Sequence, residues 1–357
     1  MKVVQPLRLR LNVWFAMFMG AALLIPSLGA TQSAFAERTD ATPATINMGI
    51  FGKSLPLIVA DAKGFYAKHN LKVNYLQVAS STQQFQALRD GQYDVIQTSP
   101  DNVANYQLNA NNPLGTIVDS QGFLGLDYGL NLRLVAQPGI TSVENLRGKT
   151  VSVDALNSGF AYVLYKILQQ HGLQQGDYNV VSVGGVFQRY NDLLAGHADA
   201  TLLSSGFETR AANQGYVLLD PVSTIASPYI GTFAAARTTW LKQNSDVAVR
   251  FALAYYEALQ WSFDPANREE SIQLLMAQPN TSRMLAEQLY AIHLQSGVGD
   301  IADASIDHKA VYNILALRAE FNGFENQQNL HRLAGPEGGL YDLSYYRKAL
   351  RDYHRGF

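Results

Sequence analysis

Residues 150–162 read TVSVDALNSGFAY, and the fold turns on how that stretch divides. Val151, Val153 and Ala155 alternate with Ser152 and Asp154, which is the period of a short strand. The turn Asn157-Ser158-Gly159 follows, and then Phe160, Leu164, Ile167 and Leu168 recur at helical spacing. Ser158 stands at the N-cap, where its hydroxyl can accept a hydrogen bond from a first-turn amide. Gly159 lets a ligand come close to the backbone. A strand entering a helix through such a turn offers free N–H groups and a positive dipole end above the sheet edge. In doubly wound sheets that edge binds ligands. An ordinary capped turn uses the same residues, so the flanking chain has to decide.

Upstream the same unit repeats. Ile46, Met48 and Ile50 alternate in a first strand that ends at Phe51-Gly52-Lys53-Ser54, and Pro56 suits the first turn of the helix that follows. A strand over 71–78, a helix capped by Ser80 or Ser81, a strand over 94–98 and a helix opening at Ser99-Pro100-Asp101-Asn102 complete three units. This order predicts a parallel-type sheet with helices on both faces. Right-handed crossovers bring the loops at 51–55 and 98–102 to one sheet edge. Residues 116–118 and 130–136 read as further strands, with 121–129 as a loop between them.

Gln137-Pro138-Gly139-Ile140 is the clearest punctuation in the chain. Beyond it the alternation restarts, with strands at 151–153, 180–183, 198–203 and 217–219 and helices at 160–171, 188–194 and 207–213. Residues 226–229 read as a return crossing, with a strand over 230–235 beyond it. The remainder is helical: 247–263, 268–277, 282–291, 308–321 and 344–353. The expectation is an α/β protein with a discontinuous first lobe, 45–137 plus 229–357, and a second lobe, 138–228. At 357 residues the chain is long enough for both.

The N-terminus is different material. Lys2, Arg8 and Arg10 precede an apolar run over 13–25, and a small-residue segment ends Ala34-Phe35-Ala36. That is the order of a secretory signal peptide, 1–36, with cleavage after Ala36. An uncleaved membrane anchor is the alternative, though the run is short for about 30 Å of hydrocarbon. Removing three positive charges takes the net charge from −2 to −5. With an acidic balance and no basic stripe, nucleic acid is not an expected partner. The chain has no cysteine, which excludes disulfides, thiolate catalysis, Cys-ligated zinc and a lipid-anchored cysteine. An exported chain of this kind fits a bacterial periplasm.

Candidate ligand contacts follow from the strand ends. From the first lobe these are Phe51, Ser54, Thr98, Ser99 and Asn102, although Ser99 and Asn102 also suit simple capping. From the second they are Asp154, Asn157, Ser158, Gly159 and Phe160, where Asp154 can instead tie down its turn. Gly185 and Arg189 follow the next strand. Arg189 can take a carboxylate, sulfonate or phosphate bidentately, or lie on a solvated helix face. Ser204, Ser205 and Phe207 end another strand, and Tyr229 at the return crossing is placed to close over a ligand. Phe51, Phe160, Tyr190, Phe207 and Tyr229 fall where a planar ligand can stack, which favours a small organic molecule over bare nitrate.

Enzyme signals are weak. Gly52-Lys53-Ser54 resembles the end of a phosphate loop, but the required first glycine falls at Asn47. The seven histidines have no pair at metal-ligand spacing, and no G-x-S-x-G elbow occurs. No catalytic residue, metal or cofactor is expected.

The segments Leu146-Arg147-Gly148-Lys149-Thr150-Val151, Ser158-Gly159-Phe160 and Leu194-Ala195-Gly196-His197-Ala198-Asp199-Ala200 resemble periplasmic substrate-binding proteins of ABC importers. Gly64-Phe65-Tyr66-Ala67, Ala87-Leu88 and Gly91-Gln92-Tyr93-Asp94-Val95 are similar to the nitrate/sulfonate/taurine and pyrimidine-precursor (NMT1/THI5-like) branch. The resemblance covers about 45–219. It implies a two-lobe type II periplasmic binding fold hinged on two crossing strands, a small-molecule ligand in the cleft, and an ABC permease in the inner membrane as partner; a monomer is expected. The chain departs from the commoner pattern in lacking a proline shortly after the strand at 198–203. Two alternatives stay open: an enzyme on the same scaffold, of pyrimidine-precursor synthase or menaquinone-pathway type, and a ligand-sensing subunit for a signalling partner. The synthase's cysteine-rich motif cannot exist here, and an export signal suits neither enzyme.

Overall fold

The alternating and helical periods form the elements they predict, in a computed structural model that describes residues 42–356. The expected signal peptide lies outside the described residues. The first run is β1 (Ala44–Ile50), α1 (Leu55–Ala62), α2 (Phe65–Lys68), β2 (Leu71–Gln77), α3 (Ser81–Arg89), β3 (Val95–Thr98), α4 (Pro100–Leu108) and β4 (Ser120–Asp127). The second is β5 (Arg133–Ala136), β6 (Thr150–Val153), α5 (Gly159–Gln170), β7 (Asn179–Ser182), α6 (Val186–Leu194), β8 (Ala200–Leu203), α7 (Phe207–Ala212) and β9 (Val217–Pro221). Then come β10 (Thr232–Arg237) and the helices α8 (Thr238–Gln243), α9 (Ser245–Phe263), α10 (Arg268–Met276), α11 (Arg283–Leu294), α12 (His308–Glu320), α13 (Leu330–Ala334) and α14 (Ser344–His354).

Two five-stranded sheets result, ordered β2-β1-β3-β10-β4 and β7-β6-β8-β5-β9. Each is mixed. β1 runs parallel to β2 and β3, and β6 parallel to β7 and β8, as βαβ units require. β10 is antiparallel to β3 and β4, and β5 is antiparallel to β8 and β9. These are the strands by which the chain enters the second sheet and returns to the first, so they insert against the prevailing direction.

Three expectations need correction. Residues 116–118 form no strand: the Asn112 side chain fixes that turn through Asn109 O, Thr116 O and Leu114 N, and Val118 N donates to Tyr106 O. The segment read as a loop, 121–129, is mostly β4. Its glycines are close approaches inside a strand, since a side chain at Gly122 would enter the Phe233 ring and one at Gly125 would meet Ser305 O. Finally, Arg133–Ala136, expected before the break at Gln137-Pro138, pairs in the second sheet. The crossings are therefore 128–132 and 222–231.

Burial follows the apolar stripes. Met48, Leu57, Phe251, Tyr255 and Leu259 lie in one core between the first sheet and α9, while Leu134, Val151, Leu164, Leu168 and Leu202 lie in another that continues to α12. No helix among the described residues is long and apolar enough to cross a membrane.

Candidate functional site

The strand ends of the two sheets face each other across a cleft of about 620 Å³, its open mouth included. From the first sheet it is lined by Phe51, Thr98, Ser99 and Asn102, so the loops expected at one edge do meet there. The second sheet contributes Asp154, Ser158 and Phe160 from the 150–162 stretch, Gly185 and Arg189 from the start of α6, and Ser204 and Ser205 after β8.

Each polar group has a distinct state. Ser99 caps α4, its hydroxyl accepting from Asn102 N at 3.2 Å. Asn102 holds Thr98 through Nδ2, and its Oδ1 accepts from Gly159 N across the cleft at 3.4 Å. Asp154 does not tie its own turn. Both its oxygens accept from Ser81 N, at 3.2 and 3.1 Å, at the N-terminus of α3 in the other sheet's layer. Ser158 occupies the N-cap of α5, but its buried hydroxyl caps nothing and has no protein partner. That hydroxyl faces the cleft. Ser205 sits at φ 58°, a left-handed conformation uncommon outside glycine, in the turn that aims β8 at the cleft.

Arg189 is not on a solvated face; it is 2 % exposed. Its Nη1 donates to Gly184 O at 2.7 Å, and Nη2 and Nε donate to Leu202 O at 3.1 and 3.4 Å. A guanidinium has five N–H groups, so one on each Nη remains for a ligand. No carboxylate lies within 4.0 Å of it among the described residues. Burial lowers its pKa to about 10, with Asp154 opposing that shift, and the group stays cationic at neutral pH. An unpaired buried cation is costly, and here it lines a cleft.

Five expected contacts lie elsewhere. Ser54 lines a second cavity behind the first sheet's loop. Asn157 offers its backbone carbonyl to Arg318 Nη2 at 2.7 Å, and its side chain does not reach the cleft. Phe207 packs against Tyr190 and Phe187, ring centroids 5.2 and 6.1 Å apart, over a small core under α6 and α7. Tyr229 is 4 % exposed within the main core, so it cannot close over a ligand, and Tyr190 also stays off the cleft. Gly159 serves packing: a side chain there would meet Asp101 Cβ at 2.8 Å.

The cleft also includes residues that sequence reasoning missed: Gln97, Asp127, Gly129, Val186 and Thr232. Gln97 left a signal, being a polar residue inside an apolar strand. Its Oε1 is buried without a partner. Asp127 ends β4 at the crossing and accepts from Gly129 N at 2.8 Å and from Thr232 Oγ1. Burial pushes its carboxyl up to about 7; Thr232 and Gly129 pull it back, while nearby Asp300 adds to the rise.

The two sides are bound directly. Gly185 N donates to Ala79 O at 2.7 Å, and a side chain at Gly185 would meet the Phe51 ring at 2.9 Å. Arg318 forks onto Asp101 through Nε and Nη2 at 2.8 and 2.7 Å, adds Asn105 Oδ1, Gly323 O and Asn157 O, and lies 4.8 Å from the Tyr162 ring centroid. All five of its N–H groups are used. The cleft thus combines an unsatisfied cation and hydroxyl on one wall, acceptors at the crossing strands, and Phe51 and Phe160 from opposite sides.

No curated protein sequence matches the chain. Among solved structures it is similar to the periplasmic nitrate-binding protein NrtA from Synechocystis PCC 6803, at 15 % identity and TM-score 0.72, covering 87 % of this chain and 89 % of that one. It is similar to the alkanesulfonate-binding protein SsuA from Xanthomonas axonopodis pv. citri bound to MOPS, at 14 % identity and TM-score 0.66, covering 84 % and 97 %. The aliphatic sulphonate binding protein SsuA from Escherichia coli matches at 16 % identity and TM-score 0.59, covering 81 % and 91 %. These likenesses show the periplasmic binding protein fold. The family model described as NMT1/THI5 like matches residues 52–268, more than half of the sequence, and the chain belongs to that family.

Proposed function

We propose that this protein is an exported, non-catalytic solute receptor that holds a small organic anion between two lobes and delivers it to an ABC permease. One observation carries the reading: Arg189, buried in the cleft, has two uncommitted N–H groups and no carboxylate within 4.0 Å. A ligand carboxylate, sulfonate or phosphate supplies the missing charge and both acceptors. Ser158 Oγ adds a third contact, and Gln97 Oε1 and Asp127 receive donors at the ligand's other end. Phe51 and Phe160 flank an apolar or planar body. The lobes in this reading are built on the two sheets and hinge at 128–132 and 222–231. The nitrate- and sulfonate-binding neighbours support the receptor role and, through it, a periplasmic location and a permease partner; the receptor is taken to act as a monomer.

Thermal-shift screening of sulfonates, carboxylates, pyrimidines and flavins tests it, because a ligand that binds only the folded state raises the melting point. The expected result is an anionic hit that is recovered unchanged and is lost in Arg189→Lys, which keeps the charge but not the fork. Turnover of the hit, or unaltered affinity in Arg189→Lys, would overturn the reading.

A further inference from the structure

A second cavity, of about 390 Å³ with its open mouth included, lies behind the crossing segment that follows β4. At one pole His293 Nδ1 and Asp300 Oδ2 are 2.7 Å apart, their side chains 2 % and 1 % exposed. With Nδ1 engaged by the carboxylate, Nε2 is the ring's second polar atom. Nε2, Asp300 Oδ1 and Ser54 Oγ are all buried and make no well-formed hydrogen bond within the protein, although burial raises the pKa of the Asp300 carboxyl and Ser54, with His293, is close enough to oppose that rise. All three residues line this cavity, together with aliphatic side chains, among them Leu55 from α1, Leu275 from α10 and Leu289 from α11, and with Ser205 and Gly206.

The pole is acidic. The Asp300 carboxylate oxygens only accept hydrogen bonds, and the Ser54 hydroxyl beside them can accept as well as donate. Buried polar atoms are normally satisfied, so what fits here is donor-rich and positive. Lys53 stands at the mouth, but its ammonium lies over the Tyr75 ring at 4.1 Å and 3.7 Å from Asp61 Oδ2. A metal ion is the poorer match, because no group of three His, Cys, Asp or Glu side chains is arranged for one among the described residues. A water molecule would answer the pole but make no use of the leucines.

We propose that this cavity, which adjoins the cleft at Ser205, is a second ligand site that takes the ammonium group of a small aliphatic amine at Asp300, His293 and Ser54 and its alkyl chain against the leucines. The inference does not depend on the receptor reading, since none of these contact residues lines the cleft.

Calorimetric titration of the full chain with n-butylammonium, n-butanol and butyrate tests it. Butylammonium is expected to bind saturably at one site, at least about tenfold tighter than butanol, because a hydrogen bond to a charged group is worth more than a neutral one. Butyrate is expected not to bind. Ser54→Ala should weaken butylammonium about fivefold, and Leu289→Trp, which fills the cavity from an α11 position, should abolish binding. Asp300→Asn should cost more than tenfold; if that variant misfolds, the other two still decide the matter. Equal binding of butanol and butylammonium would make the cavity a simple apolar hole and overturn the proposal. So would butylammonium binding that survives both Ser54→Ala and Leu289→Trp, an absence of binding, or a heat from magnesium or potassium in place of the amine.

Discussion

Two buried arginines show how the same side chain serves two ends. Arg318 spends every donor on Asp101, Asn105, Gly323 and Asn157 and is a structural tie. Arg189 spends three on backbone carbonyls and keeps two. Asp127 is the third group of this kind, a carboxyl held up to about 7 against its usual 3.8 by burial at the hinge end of β4. Between those two pH values the folded protein retains a proton that the unfolded chain has released. Stability therefore falls as pH rises through that window, by roughly 4 kcal/mol in total, and levels off above it. Asp127→Asn should remove its share of that slope, so that the loss of unfolding free energy between pH 5 and pH 8 in urea denaturation is smaller than in the parent, with the remainder coming from Asp300, Glu208 and His171, whose pKa values are also raised. An unchanged slope in the variant would mean that Asp127 is ionised throughout.

At the scale of elements, the turn from β6 into α5 was legible because strand and helix periods meet at Asn157-Ser158-Gly159. What the hydroxyl of Ser158 does there was not, since capping and ligand contact call for the same residue and only the third dimension separates them. The loops at 51 and 98–102 could be placed together because right-handed βαβ units leave few choices. β4 was missed because its glycines suit a loop, whereas their cause is contact with Phe233 and Ser305 from distant segments. Tyr229 and Phe207 were misplaced for a similar reason: an aromatic residue near a strand end enters a core or a cleft according to neighbours that no local pattern reveals. Gly159 shows the structural consequence. A methyl group there lies 2.8 Å from Asp101 Cβ and 2.9 Å from Asp101 Oδ2, and Asp101 cannot yield because Arg318 grips both oxygens. Gly159→Ala should cost about 1–3 kcal/mol, read as a lowered melting temperature, while the same change at Gly52, which has open space around it and no left-handed φ, should cost less.

Across the whole molecule, the contacts between the two sheets matter more than their number suggests, because each would break if the cleft opened. Ser81 N to Asp154, Gly185 N to Ala79 O and Gly159 N to Asn102 Oδ1 are of this type. If the two halves swing about 128–132 and 222–231, such bonds set the fraction of ligand-free molecules that is closed, and apparent affinity scales with that fraction. The bond from Ser81 N can be removed without substituting a residue that lines the cleft. Ser81 is the first residue of α3, where proline is well tolerated, and Ser80 before it is already extended, at φ −158° and ψ 161°. Ser81→Pro therefore deletes one N–H and strips the Asp154 carboxylate of its donor. A hydrogen bond to a charged group contributes about 1.5–3 kcal/mol, so closure should become at least about tenfold less favourable. The ligand-free variant should show a larger radius of gyration by small-angle scattering and weaker binding of any cleft ligand, with the ligand-saturated radius unchanged. A variant that scatters like the parent and binds as tightly would mean that the halves do not move, and that the cleft is a fixed cavity.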